Sequence, residues 1–299
     1  MMKNICLFLL VFCLNGCRKV ELSVDLPYQG DKLVVYGLIV PTEIVSVKVT
    51  KTYPPTGKIT YIDGISDAEV LLFENDKLVE KLKYTGSGIY KSETSFKPKE
   101  KFAYSLKINA KGFPLVSTSN EIVPTLPKIL SFKFDEKIES SLNKGRPARK
   151  FILNIADNDR ASNFFSIKLE AFWQDTKANL VNFSIDQASG ADSPCFFEYV
   201  KSFILNDVCF SNVDYEFKRG FEMNPIFEIN NDFVRKDPER VVAKICQINK
   251  SYYEFCKTYY DEEGLLQAFN TPNPRYSNIK GGYGIFAAYN EVLIDLPVK

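Results

Sequence analysis

Between Lys32 and Val123 apolar residues return at every second position, and this period constrains the fold more than any other feature of the chain. Val45, Val47 and Val49 alternate with Ser46, Lys48 and Thr50. Leu78, Leu82 and Tyr84 fall on one parity around Glu80, and Phe102, Tyr104, Leu106 and Ile108 alternate with Ala103, Ser105 and Lys107. In an extended chain successive side chains point to opposite faces, so each run is a strand with one face in a core. Turn residues separate the runs: Pro54-Pro55-Thr56-Gly57, Asp63-Gly64, Asn75-Asp76 and Gly86-Ser87-Gly88. Short strands at this spacing, without a helical stretch between them, predict an antiparallel sandwich of immunoglobulin or transthyretin type over residues 31–124. The 24 Phe and 16 Tyr agree, because aromatic side chains favour half-buried pleated surfaces.

Val123-Pro124-Thr125-Leu126-Pro127 interrupts the pattern, since two prolines disfavour both helix and central strand. It is expected to be a stiff connector into a second β-rich domain, residues 125–299. Strands are expected there at Ile129–Phe134, Phe151–Ile155, Phe164–Phe172, Leu180–Ile185, Phe203–Leu205, Ile226–Ile229, Val241–Ile248 and Tyr283–Tyr289, with a long loop from Gln187 to Pro194. One helix is predicted near 251–263. Ser251-x-x-Glu254 has the form of a capping box, Tyr252, Phe255, Cys256 and Tyr259 share a helical face, and Gly264 can end the element. Its aromatic stripe is expected to dock on a sheet. The expected class is therefore all-β, a sandwich followed by an antiparallel β domain carrying one packed helix.

The N-terminus specifies an address. Met1-Met2-Lys3 followed by the apolar run Ile5–Leu14 has the charge and length of a secretory signal, and the run is too short to span a bilayer. Leu14-Asn15-Gly16-Cys17 ends it in the manner of a bacterial lipobox, with Asn15 unusual there. Residues 1–16 are thus expected to be a signal peptide, Cys17 the acylated (palmitate-bearing) N-terminus, and residues 17–30 an anchor and tether. Lys19 and Glu21 loosely fit the charged surface-export signals of such lipoproteins. With Cys6 and Cys13 in the signal, four cysteines remain in an exported chain, where disulfides can form. Cys195, Cys209, Cys246 and Cys256 allow three pairings, and none of their spacings matches a zinc template.

The chain contains no histidine, which removes imidazole-activated nucleophiles and His-ligated metals. Lys+Arg 38 against Asp+Glu 37 leaves a net charge of +1, so no sequence-wide field draws nucleic acid. Asp157-Asn158-Asp159 opens like a calcium loop, yet Ser162 stands where that loop needs Gly and Lys168 where it needs Glu. Asn278-Ile279-Lys280-Gly281-Gly282-Tyr283-Gly284 is glycine-rich but leads into an apolar strand rather than the helix of a phosphate loop. Asn278, Gly281, Gly282 and Gly284 are read as a structural turn with a close backbone approach. Glu216, Glu222, Asp261, Glu262 and Glu263 are read as surface charges, with no spacing that sets two of them at glycosidase separation. No catalytic, metal or cofactor-binding residue is expected.

A series of motifs runs in order along the mature chain. Val24-Asp25-Leu26-Pro27, Lys32-Leu33-Val34-Val35-Tyr36-Gly37, Ala68-Glu69-Val70, Gly88-Ile89-Tyr90, Tyr104-Ser105-Leu106 and Val123-Pro124 lie in the first half. Asp157, Asn163-Phe164-Phe165, Asn212-Val213-Asp214 with Gly220, Tyr252-Tyr253 and Tyr276–Phe286 follow in the second. In this order the chain resembles the Bacteroidetes outer-membrane lipoproteins catalogued as domain of unknown function 4249. The resemblance implies an outer-membrane anchor and a neighbouring TonB-dependent receptor, and it implies no chemistry. The functional expectation is a non-enzymatic, surface-facing accessory to such a receptor in ligand capture or uptake. The alternatives are a structural or envelope-assembly lipoprotein that binds other proteins, and a carboxylate-based glycan hydrolase.

Overall fold

The computed structural model describes residues 28, 30–54, 64–134, 137–141, 144–145, 147–156, 162–173, 176–179, 182–183, 195–209, 214–223, 226–229, 232–235, 237–260 and 275–298. The first half forms β1 (Leu33–Ile39), β2 (Ser46–Lys51), β3 (Glu69–Glu74), β4 (Lys77–Gly86), β5 (Ile89–Lys91), β6 (Ala103–Asn109), β7 (Val116–Thr118) and β8 (Glu121–Ile122). The second half forms β9 (Ile129–Lys133), β10 (Lys137–Glu139), β11 (Pro147–Ile155), β12 (Phe164–Trp173), β13 (Thr176–Asn179), β14 (Asn182–Phe183), β15 (Phe196–Tyr199), β16 (Ser202–Asn206), β17 (Tyr215–Glu222), β18 (Ile226–Ile229), β19 (Asp232–Arg235) and β20 (Arg240–Ile248). The helix α1 (Lys250–Tyr260) then precedes β21 (Ile279–Lys280) and β22 (Tyr283–Leu296). The class is all-β with one helix.

Alternation becomes burial directly. In β1 Leu33, Val35 and Ile39 are buried while Tyr36 is exposed, and in β6 Tyr104, Leu106 and Ile108 are fully enclosed. The Asn75-Asp76 turn joins β3 to β4 with both residues at positive φ, the geometry a tight hairpin needs. β4 is the corner strand: its first part pairs with β3 and its last part, Lys83–Gly86, with β5. One layer of the sandwich therefore runs β22-β1-β2-β5-β4 and the other β4-β3-β6-β7-β21. Because β21 leads straight into β22 through Gly281-Gly282, the path returns to its own start. The sandwich around Leu33, Val47, Val70, Tyr90, Leu106 and Val116 is completed by Ile279, Phe286 and Ala288 from the far end of the chain.

β22 is the element that the two halves share. Over Tyr283–Ala288 it runs parallel to β1, and over Tyr289–Leu296 antiparallel to β20, so the sheet passes unbroken from β15-β16-β12-β20 into the sandwich. The parallel pair departs from the purely antiparallel expectation. It arises because β22 enters the sheet after a long excursion through the second half and not by a hairpin. The second core lies between this sheet and a separate five-stranded one, β10-β11-β17-β14 with β9 also on β11. Phe151, Leu153, Phe217 and Phe221 face Ile167, Leu169, Phe203, Val241 and Ile245 across it.

The division at Val123-Pro124 is closer-packed than a free connector. Val123 is fully buried in the first core, and Asn290 Nδ2 donates to Pro124 O at 3.1 Å. Thr125 Oγ1 donates to Gln247 Oε1 at 3.3 Å. Residues 275–288 belong to the core of the 31–124 unit, so the sequence boundary at 124 does not separate the two cores. The expected strand at Leu180–Ile185 is described only over β14, and the Gln187–Pro194 loop lies outside the described residues.

Candidate functional site

The glycine-rich segment and the helix N-terminus converge on one buried carboxylate, Glu121, which is 5% exposed on β8. Its Oε1 accepts from Ser119 Oγ at 2.8 Å, Asn278 Nδ2 at 2.8 Å and Ser251 Oγ at 2.9 Å. Its Oε2 accepts from Asn249 Nδ2 at 2.6 Å. Tyr276 Oη lies 3.1 Å from Ser251 Oγ. Burial pushes the Glu121 carboxyl above the ordinary glutamate value, while the donors pull it down without cancelling the shift. All four donors are neutral, so the cluster is a joint between β8, α1 and the strand-entry segment.

Asn278 does a second job. Its Nδ2 donates to Phe286 O at 2.6 Å and its Oδ1 accepts from Phe286 N at 3.0 Å, so the side chain imitates a pairing strand residue. Between these partners the chain crosses from one layer of the sandwich to the other. Gly281 has φ +81° and Gly284 φ +112°; a Cβ on Gly282 would lie 2.6 Å from Leu33 O, and one on Gly284 1.9 Å from Val35 O. The crossing is possible only with bare backbone at these points.

The cap of α1 differs from the expected box. Asn249 Oδ1 accepts from Tyr252 N at 3.1 Å and is the N-cap, which frees the Ser251 hydroxyl to reach Glu121. The docked face also turns. Tyr253 stacks on Phe164 with centroids 4.4 Å apart, Cys256 is fully enclosed, and Phe255 meets Tyr36 edge-on at 6.4 Å. The helix sits in a corner and is covered on two sides, which a single stripe does not convey.

Among the four cysteines, Cys195 is disulfide-bonded, and its partner sulfur lies outside the described side chains. Cys246 and Cys256 are free thiols, which corrects their standing as disulfide candidates. Both pack into the apolar cluster between α1 and the sheet, and burial pushes the Cys246 thiol up to about 12. Cys209 ends a single 3-10 turn, Asp207–Cys209. Cys17, Lys19, Glu21, Asp157–Asp159 and Asp261–Glu263 lie outside the described residues.

Two further groups of charges lie in the second half. On the outer face of the long sheet Glu170 bridges Lys168 at 3.0 Å and Lys177 at 2.6 Å, Lys244 pairs with Glu291, and Arg240 with Asp295. Glu222 is buried and accepts from Ser140 Oγ, whereas Glu216 is exposed. Inside the second core two arginines alternate with phenylalanines on β11 and β17, and sequence reasoning passed over both. Arg149 donates to Pro297 O at 3.1 Å and Val298 O at 2.9 Å and borders a cavity of about 260 Å³ with Lys137, Met223 and Asp237. Arg219 lies between the rings of Phe196 and Phe203, and burial pulls its guanidinium below the ordinary arginine value. Alternation of Tyr215, Phe217, Arg219 and Phe221 was the available signal, and the arginine disguised it. Among the described residues no group of three or more metal-ligating side chains occurs.

A family model described as Domain of unknown function (DUF4249) matches residues 19–293. No curated protein matches the sequence.

Proposed function

The chain belongs to the DUF4249 family, and from this premise we propose that it is a lipid-anchored outer-membrane protein that assists a TonB-dependent receptor in ligand capture or uptake. The observation that carries the reading is Cys17, which follows Gly16 and closes the segment that begins with the apolar run Ile5–Leu14. Among the described residues no helix is long and apolar enough to cross a membrane; in this reading the acyl chains on Cys17 hold the protein at the bilayer. A rigid β body on a short tether suits presentation of a binding surface beside a membrane receptor. Two of the buried carboxylates, Glu121 and Glu170, are held in structural networks, the first by neutral donors and the second by Lys168 and Lys177, which suits a binding body.

The test has two arms. An alkyne palmitate analogue should label the wild-type protein and not Cys17→Ser, and the variant should leave the membrane fraction as a folded soluble protein. A label that persists on Cys17→Ser, or a variant still in membranes after a salt wash, sinks the anchor. Affinity purification of the anchored protein after mild crosslinking should recover an outer-membrane receptor barrel. Recovery of envelope-assembly machinery without a receptor would replace this reading with a scaffolding role.

A further inference from the structure

The sandwich has two ends, and the chain enters it at the one where β1 begins. Lys32 and Thr52 hold each other there, Lys32 N donating to Thr52 Oγ1 at 2.9 Å and Thr52 N to Lys32 O at 2.9 Å. Lys32 Nζ lies 5.3 Å from the centre of the Tyr283 ring, and a Cβ on Gly281 would lie 2.5 Å from Leu115 O. The start of β1, the β21–β22 crossing and the entry to β7 therefore meet at this end. Lys51 Nζ stands beside them, 5.8 Å from the centre of the Tyr53 ring and 2.7 Å from Asp31 Oδ2. Leu115 is 65% exposed here, Tyr283 46% and Tyr28 40%. Lys280 precedes the crossing and Lys111 opens the turn before Leu115, and both are exposed. Among the described residues the acids near by are Asp31, held by Lys51, Glu69, held by Lys81, and Asp67.

An exposed leucine and tyrosines flanked by lysines suit the interface of a bilayer, the rings at headgroup depth and the ammonium groups among the phosphates. Position names the occupant. From Cys17 to Lys32 the chain can span no more than about 50 Å, and this end of the sandwich is the nearer to Cys17 along the chain. The other end, where Lys97 Nζ donates to Thr42 O beyond β1, lies a strand length of about 23 Å further on. Acyl chains on Cys17 bring the bilayer to the near end at high effective concentration, so contacts too weak to hold a free protein still act. We propose that Leu115, Tyr283 and Tyr28, with Lys32, Lys111 and Lys280, form a surface that docks on the phosphate-bearing face of the bilayer and fixes the orientation of the body above it. The proposal rests on the acyl anchor at Cys17 and adds to it a second, reversible contact.

Two measurements separate this contact from the anchor. In the first, the full mature Cys17→Ser chain, which carries no acyl group, is sedimented with vesicles of equal parts phosphatidylglycerol and phosphatidylcholine. It should partition onto them weakly, lose that binding in about 0.5 M salt and ignore vesicles of phosphatidylcholine alone. Lys111→Glu with Lys280→Glu should lower the partition about tenfold or more at an unchanged melting temperature. Lys97→Glu with Lys101→Glu, the same change of charge at the far end, should leave it within about twofold. In the second, the acylated chain is inserted in vesicles that contain phosphatidylcholine brominated near the headgroup. Leu115→Trp should be quenched and Ile44→Trp, at the far end, should not, with the native Trp173 buried in the second core. No binding to the anionic vesicles, equal losses in the two lysine pairs, or equal quenching of the two tryptophans would each overturn the docking surface. So would a concentration-dependent dimer abolished by Leu115→Ser, which would make these side chains a contact between two copies of the chain. A labelled Cys17 without quenching of Leu115→Trp keeps the anchor and ends the docking surface, whereas vesicle binding by a chain that takes no label does the reverse. Because salt strips this contact, it cannot imitate the anchor in a washed membrane fraction.

Discussion

Glu121 shows how a single side chain can hold distant parts of a sequence together. Its four donors come from residues 119, 249, 251 and 278, and each would be left without this acceptor if the carboxylate were removed. Glu121→Ala is therefore expected to cost about 3 kcal/mol in urea unfolding, the scale for stranded buried donors. The carboxyl also carries a pH signature. Because its folded value is raised above the ordinary 4.5, the folded state holds the proton to higher pH than the unfolded chain does. Stability should fall as pH rises from about 4.5 through the raised value and then level, and the step should vanish in Glu121→Gln. A wild-type profile flat across that window, or an unchanged step in the variant, would exclude the assignment. The thiols give a separate test at this scale. Native Cys246 and Cys256 should resist alkylation, and non-reducing peptide mapping should join Cys195 to Cys209, a short loop whose closure contributes about 3 kcal/mol in the chain-entropy model.

Among the elements, the β21–β22 crossing makes the sharpest demand on sequence. Gly284 combines φ +112° with a Cβ position 1.9 Å from Val35 O, whereas Gly112 has φ +83° and open space around it. Gly112→Ala should cost about 1 kcal/mol, the penalty of the left-handed conformation alone. Gly284→Ala must also part β1 from β22, and a loss of about 3 kcal/mol or more in thermal unfolding is expected. Equal losses at the two positions would mean that the close approach to Val35 does not exist in solution. The sequence disclosed those glycines as a turn because glycine density beside an apolar strand has few other uses. It disclosed β2 and β6 because alternation is local. What it hid is non-local: Asn278 acting as a strand residue, Ser251 turning from its own helix to Glu121, and Arg219 standing where an apolar residue completes the pattern. Each of those depends on a partner far off in the chain, and no window on the sequence contains both members.

At the scale of the whole molecule the two cores are joined by one strand. β22 gives Phe286 and Ala288 to the first core and Leu296 to the second, and its hydrogen bonds run to β1 on one stretch and to β20 on the next. Residues 31–124 look self-sufficient by their alternation, yet without 275–288 their sandwich has an open seam from β1 to β7 and an unfilled core. Large apolar side chains missing from a core cost several kcal/mol each, and a bare strand edge invites pairing with other chains. A fragment of residues 31–124 is thus expected to be molten or aggregated by near-ultraviolet circular dichroism and sedimentation. Addition of a synthetic peptide spanning 275–298 should restore cooperative unfolding, with Gly284→Ala in the peptide abolishing the rescue. A fragment that unfolds cooperatively by itself would show that β22 is an appendage to the sandwich. Rescue by the peptide would show instead that the chain closes its first core only after its last strand is made, so that folding of the N-terminal sandwich waits for the C-terminus.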